Sequence, residues 1–212
     1  MTELDHIAVI APDLATGGAW VRRVLGVEPP AGGKHPEMGT HNRLLGLGPD
    51  AYLEVIAVDP EAPRPPHRRW FGLDDREAVA RHWQAGRRLR GYVARCTDLA
   101  ATIGGQIETF GAPMRISRGD RDWVFAVRAD GALPGDGALS CLIDWGERGT
   151  PASTMTDFQL RLQNLLVETP DPAAVHAALD ALGMVRKPEI RRGREVRLTA
   201  TIATPQGVRV LN

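Results

Sequence analysis

Residues 4–26, LDHIAVIAPDLATGGAWVRRVLG, are repeated in plan twice further along the chain, and this self-similarity limits the possible folds more than any other feature. The first copy reads as an apolar strand, then Asp13 as helix N-cap, then a stripe of Leu14, Val21, Val24 and Leu25, ended by Gly26. In residues 89–111, LRGYVARC is the strand, Asp98 the cap, Leu99, Ile103 and Ile107 the stripe, and Gly111 the stop. The third copy begins at QLRLQNLLVETPD, with Asp171 as cap, Pro172 at the first helical position, Val175, Leu179 and Leu182 as the stripe, and Gly183 as terminator. Cap and glycine are separated by 13, 13 and 12 residues. Each copy then runs into about three β-like segments divided by turn residues, such as HNRLLGLG and AYLEVIAV after the Gly/Pro-rich VEPPAGGKHPEMGT.

The chain is therefore expected to be α+β, made of repeated βαβββ modules that form a curved, cup-shaped mixed sheet with helices outside, plus a third related C-terminal module. The divisions are 1–58 for the first module, 59–88 for a linker with a short helix over Asp75–Gln84, 89–146 for the second, 147–157 for another linker, and 158–212 for the third. The Arg-rich ends of 59–88 read as a solvated face. An odd number of modules leaves one sheet face without a partner in the chain, and a homodimer is one way to cover it.

Charge excludes some functions. Lys plus Arg balances Asp plus Glu at 26 each, so no global field attracts nucleic acid or an anionic membrane. No apolar run approaches the ~20 residues that span a bilayer, and the start MTELDHIAVIAPD lacks a basic leader, so a cytoplasmic location is expected. The two cysteines, Cys96 and Cys141, lie in strand-like runs and read as buried free thiols. Gly32-Gly33 lacks the context of a phosphate loop, so no nucleotide cofactor is expected.

LDHIAVIAPDL, with His6 seven residues before Asp13, and YLEVIAV, with Glu54 at its centre, resemble the opening and fourth strands of the vicinal-oxygen-chelate superfamily. Within it, GGKHPEMGTHNRLLGLG followed by YLEVIAVDP looks most like the glyoxalase-like branch, and CLIDWG is similar to a strand end there. The resemblance covers residues 3–60 and, more loosely, 89–146. It implies neighbouring first and fourth strands, with His6 and Glu54 meeting on the floor of the cup. Strand alternation agrees, because Tyr52, Glu54 and Ile56 share one face and Leu53, Val55 and Ala57 the helix-covered one, while His6, Ala8 and Ile10 oppose Ile7, Val9 and Ala11.

The resemblance implies a divalent metal ion held by His6 and Glu54, with Glu54 also able to serve as catalytic base. The match to metal-dependent members is incomplete: seven residues before Asp98 stands Gly91, seven before Asp171 stands Asn164, and neither is a good ligand. Asp144, beside Trp145, is the one obvious carboxylate in the second module. His35, His41 and Asn42 hang from the glycine-rich connection and join Asp144 and Trp145 as candidate contacts to a small-molecule substrate. Without a cation beside it, a carboxylate set among Leu, Val and Ile is expected to titrate above its ordinary ~4.3. The reading is a metal-assisted lyase or isomerase acting on a small oxygenated metabolite. The alternative is a non-catalytic binding protein of the antibiotic-sequestering type, using the same cup without metal.

Overall fold

The computed structural model describes residues Met1–Asn212. Its first two modules contribute strands β1 (Glu3–Ile10), β2 (Ala31–His35), β3 (Thr40–Gly46), β4 (Tyr52–Val58), β5 (Leu89–Arg95), β6 (Ala112–Arg118), β7 (Arg121–Val127) and β8 (Cys141–Asp144). These form one curved sheet of order β2-β3-β4-β1-β5-β8-β7-β6. β1 runs parallel to β4, β5 runs parallel to β8, and the two halves join through the antiparallel β1–β5 pair. Helix α1 (Leu14–Leu25) follows β1, α2 (Arg76–Gln84) lies in the linker, and the short α3 (Leu99–Ile103) and α4 (Ile107–Phe110) follow β5.

Local chemistry sets where these helices begin. Asp13, Asp98 and Asp171 each accept a hydrogen bond from the backbone N–H three residues on, satisfying a donor that the first helical turn leaves free. Asp75 does the same for α2. Asp13→Ala is expected to lower the unfolding free energy by about 1 kcal/mol, read as a urea midpoint shift at unchanged slope. One residue of the expected stripe departs from it: Ile107 is half exposed, because the helix breaks at Gly104 and restarts as α4.

Alternation along the strands divides the interior into two cores. Ile7, Val9, Leu53 and Val55 pack against Trp20, Val21 and Leu25 of α1 on the convex side. Ala8, Ile10, Tyr52 and Ile56 face the cup. The cup is not empty, however. Trp70, Phe71 and Leu73 from the linker join Trp123, Phe125 and Trp145 to fill it, so the linker caps the concave face. Its charged ends conceal a short apolar run, WFGL, that has nowhere drier to go.

The third module has the element order β9 (Arg161–Thr169), α5 (Pro172–Ala181), β10 (Glu189–Arg192), β11 (Arg197–Thr204), β12 (Gly207–Leu211), but a different strand order, β10-β9-β11-β12. Here β10 lies parallel beside β9 instead of pairing with the strand that follows it. The Arg192-Gly193 turn is therefore a crossing over the end of β9, where the Gly193 N–H bonds the Thr169 carbonyl. The apolar face of this small sheet, with Leu165, Val167, Leu198 and Ile202, is buried in the convex core of the same chain, so the face that an odd module count left uncovered is covered internally. No helix is long and apolar enough to cross a membrane.

Candidate functional site

The parallel β1–β4 register sets His6 opposite Tyr52 and Ala8 opposite Glu54. His6 Nε2 lies 3.5 Å from Glu54 Oε2, and the Tyr52 ring stacks on the imidazole at 4.5 Å between centroids. Asp5, the next residue back, completes a chain the sequence reading missed: it is fully buried, and its Oδ1 is 2.7 Å from His6 Nδ1. The indole N–H of Trp145 donates to the other Asp5 oxygen at 3.0 Å. Alternation should turn Asp5 away from His6, but the β1–β5 register shifts between Leu4 and His6, and this irregularity lies at Asp5.

Asn42 fixes the other side of Glu54. Its amide oxygen accepts the Gly33 N–H at 2.9 Å, which turns its NH2 toward Glu54 Oε1 at 2.6 Å and His35 Nε2 at 3.3 Å. His35 Nε2 must then be the acceptor nitrogen, leaving Nδ1–H for the Thr40 hydroxyl at 3.0 Å. The paired glycines are explained by clearance. A Cβ on Gly32 would lie 2.1 Å from Asn42 Oδ1, and one on Gly33 would lie 2.6 Å from the Arg118 side chain. The connection expected before the β3 strand is itself β2, a strand without apolar alternation, held by its pairing to β3.

Electrostatics follow from this geometry. Burial alone would strip the proton from His6, but hydrogen bonds and charge from Asp5 and Glu54 outweigh it and raise the imidazole to about 9. Burial pushes Glu54 upward, yet His6 and Asn42 overcome that and hold it below the usual carboxylate range. The expected upward displacement of Glu54 is thereby corrected, since the required cation is His6 itself. His35, buried among Trp70 and Trp123 with no carboxylate bonded to it, falls to about 4 and is neutral at physiological pH.

His6, His35, Asn42, Glu54 and Trp145 thus line one cavity, together with Tyr52, Trp70, Phe71, Trp123 and Arg118. The cavity encloses about 20 Å³, room for roughly one water. Two of the candidate residues lie elsewhere. His41, next to Asn42, is half-buried on the opposite face near Asp59 and Lys34. Asp144 follows the cavity-lining Ile143 and accepts the Gly146 N–H at the surface. No three His, Cys, Asp or Glu side chains converge as metal ligands. The donors that remain, His6 and Glu54, already satisfy each other as imidazolium and carboxylate, so this set does not fit a tightly held divalent ion, which needs at least three protein ligands. Cys96 and Cys141 are buried free thiols, both held above the ordinary thiol range by burial.

A curved sheet of paired βαβββ modules, with His6 and Glu54 facing each other on its concave floor, is the arrangement that the resemblance to the vicinal-oxygen-chelate superfamily led one to expect. The glyoxalase-like domain family matches residues 4–183, and the chain belongs to it. No curated protein matches. Among solved structures, a hypothetical protein from Staphylococcus aureus is similar over 100% of this chain and 99% of its own, at 11% identity and a TM-score of 0.60. A methylmalonyl-CoA epimerase in complex with methylmalonyl-CoA and NH4+ aligns with 71% of this chain and 99% of its own, at 15% identity and a TM-score of 0.43. A xylose isomerase-like TIM barrel/4-hydroxyphenylpyruvate dioxygenase fusion protein aligns with 99% of this chain and 32% of its own, at 15% identity and a TM-score of 0.39.

Proposed function

We propose that this protein is a cytoplasmic enzyme that takes a small oxygenated metabolite into the cup and moves a proton on it, with Glu54 as base and His6 as the cation receiving negative charge. The observation behind this reading is the buried Asp5–His6–Glu54 chain, since charged groups so far from water are costly to keep for packing alone. In the resting protein Glu54 is a weak base because His6 and Asn42 hold it down. A bound carbonyl oxygen that takes the His6 N–H removes the hydrogen-bonding part of this restraint, and burial then strengthens Glu54 as a proton acceptor. Glu54 removes a proton from the carbon next to the carbonyl, the C–H electron pair forms the C=C bond while the C=O π pair moves to the oxygen, the imidazolium N–H stabilises the resulting enolate, and protonated Glu54 returns a proton to carbon. Asp5 holds the imidazole in line. No metal ion enters this reading.

The second reading, a non-catalytic binding cup, is favoured by the aromatic filling, which leaves little free space for chemistry beside the His6–Glu54 pair. The two are separated by incubating the protein in D2O with a panel of small 2-oxo and 2-hydroxy acids and their methyl esters, following exchange at the carbon beside the carbonyl by NMR. Exchange accelerated about 10²-fold or more over buffer, and lost in Glu54→Gln, is the expected result. Saturable quenching of tryptophan fluorescence without exchange would put the binding reading in its place. Neither exchange nor quenching with any compound would overturn both.

A further inference from the structure

Arg118 ends β6, and it is the only lysine or arginine lining the cavity. Its guanidinium lies over the Trp123 ring, 5.8 Å from the centroid. It takes part in none of the protein's ion pairs, and its side chain donates no hydrogen bond. A carboxylate is available next door, but Glu37 is engaged by the Ser117 hydroxyl at 2.6 Å and backbone N–H at 3.3 Å. Glu54, the carboxylate inside the cavity, is taken by Asn42 and His6. Meanwhile β2 makes room for Arg118, because any side chain at Gly33 would collide with its Cγ and Cδ at 2.6 Å. A planar fork of donors, seated on an aromatic ring and left without a partner in the protein beside the cavity that holds the His6–Glu54 pair, is what recognition of a planar anion requires.

We propose that Arg118 is the anion anchor of the cup, so that the molecule admitted carries a carboxylate alongside the oxygen that faces His6. This rests on the reading of the cavity as a ligand site and adds the substrate class: small oxygenated carboxylic acids. Arg118 thereby becomes a specificity-determining residue, contributed by the second module to a cavity whose His6–Glu54 pair comes from the first.

The test compares 2-oxobutyrate with its methyl ester, titrated against quenching of the cavity tryptophans Trp70, Trp123 and Trp145. The wild type should bind the acid at least tenfold more tightly than the ester. Arg118→Gln should bring the two to within about twofold, while Arg118→Lys, which keeps charge without the fork, retains part of the preference. Gly33→Ala, which displaces the guanidinium but keeps its charge, should also reduce it, and thermal unfolding confirms that each variant folds. An unchanged acid-to-ester ratio in Arg118→Gln, or a wild type that binds both equally, overturns the anchor and leaves the cup reading standing. If neither compound binds the wild type, both fall.

Discussion

Unfolding free energy measured in urea across pH should peak near pH 6.5 and fall by roughly 3 kcal/mol toward pH 9, with a comparable fall toward pH 4. The alkaline arm comes from His6. Its folded pKa of about 9 lies above the unfolded 6.5, so its stabilisation is fully present below pH 6.5 and is lost as pH rises through 9. The acid arm comes first from His35, whose folded pKa of about 4 lies below 6.5. Between those values the unfolded chain takes up a proton that the buried imidazole refuses, so stability drains as pH falls. Glu54, held below its unfolded value, contributes stability that is present above that value and lost below it, and so steepens the lower end of this arm. Glu54→Gln should shrink the alkaline arm by removing one of the two carboxylates that keep His6 protonated. It should also cost about 3 kcal/mol at neutral pH, because a buried charge loses its partner. His35→Gln should flatten the acid arm alone. A wild-type profile level from pH 6.5 to 9 would remove the imidazolium from the site and with it the assigned role of His6.

Gly131→Ala should destabilise the protein by about 3 kcal/mol, whereas Gly72→Ala, 59 residues away in sequence but paired with it in space, should cost about 1 kcal/mol. Both glycines have left-handed backbones, φ +70° and φ +68°, and so share the backbone cost of acquiring a Cβ. They differ in what that Cβ meets. At Gly131 it would lie 2.2 Å from the Arg69 carbonyl oxygen and 2.9 Å from Arg68 Cβ, while at Gly72 nothing lies within 4 Å. The contact matters to the site because the Gly72 N–H donates to the Gly131 carbonyl at 2.8 Å, fastening the segment that lowers Trp70 and Phe71 into the cup. Phe71 is itself strained, a bulky residue at φ 57°, and it separates the small cavity from an outer groove of about 1060 Å³. Displacing the segment in Gly131→Ala should therefore also shift tryptophan emission to the red as Trp70 meets water. Equal losses in the two variants would show that the clasp between linker and second module contributes nothing beyond backbone preference.

The sequence by itself determined what depends on neighbours a few residues apart. An aspartate three residues ahead of a free N–H caps a helix wherever it occurs, so Asp13, Asp98 and Asp171 marked the helix starts. Pleating sends alternate side chains to opposite faces, so the division of β1 and β4 between the cup and the convex core could be read along the chain. Only the tertiary structure decided the rest. Asp5 could be recognised as part of the site only once Trp145, 140 residues away, was seen to donate to it. Arg118 stands at an Arg-Gly-Asp turn and joins the site only because the curved sheet brings the second module to the cavity and Gly33 clears its path. The Arg-rich ends of the linker read as a solvated face, but nothing local told that Trp70 and Phe71 between them would reach the concave face of a sheet assembled from two distant modules. In the third module the same order of elements gave a different strand order, with β10 pairing beside β9 across a crossing that no local stretch specifies. Hydrogen bonds to near neighbours and pleat alternation act over one or two turns of chain. Partnerships across a curved sheet depend on curvature and packing that no local stretch encodes.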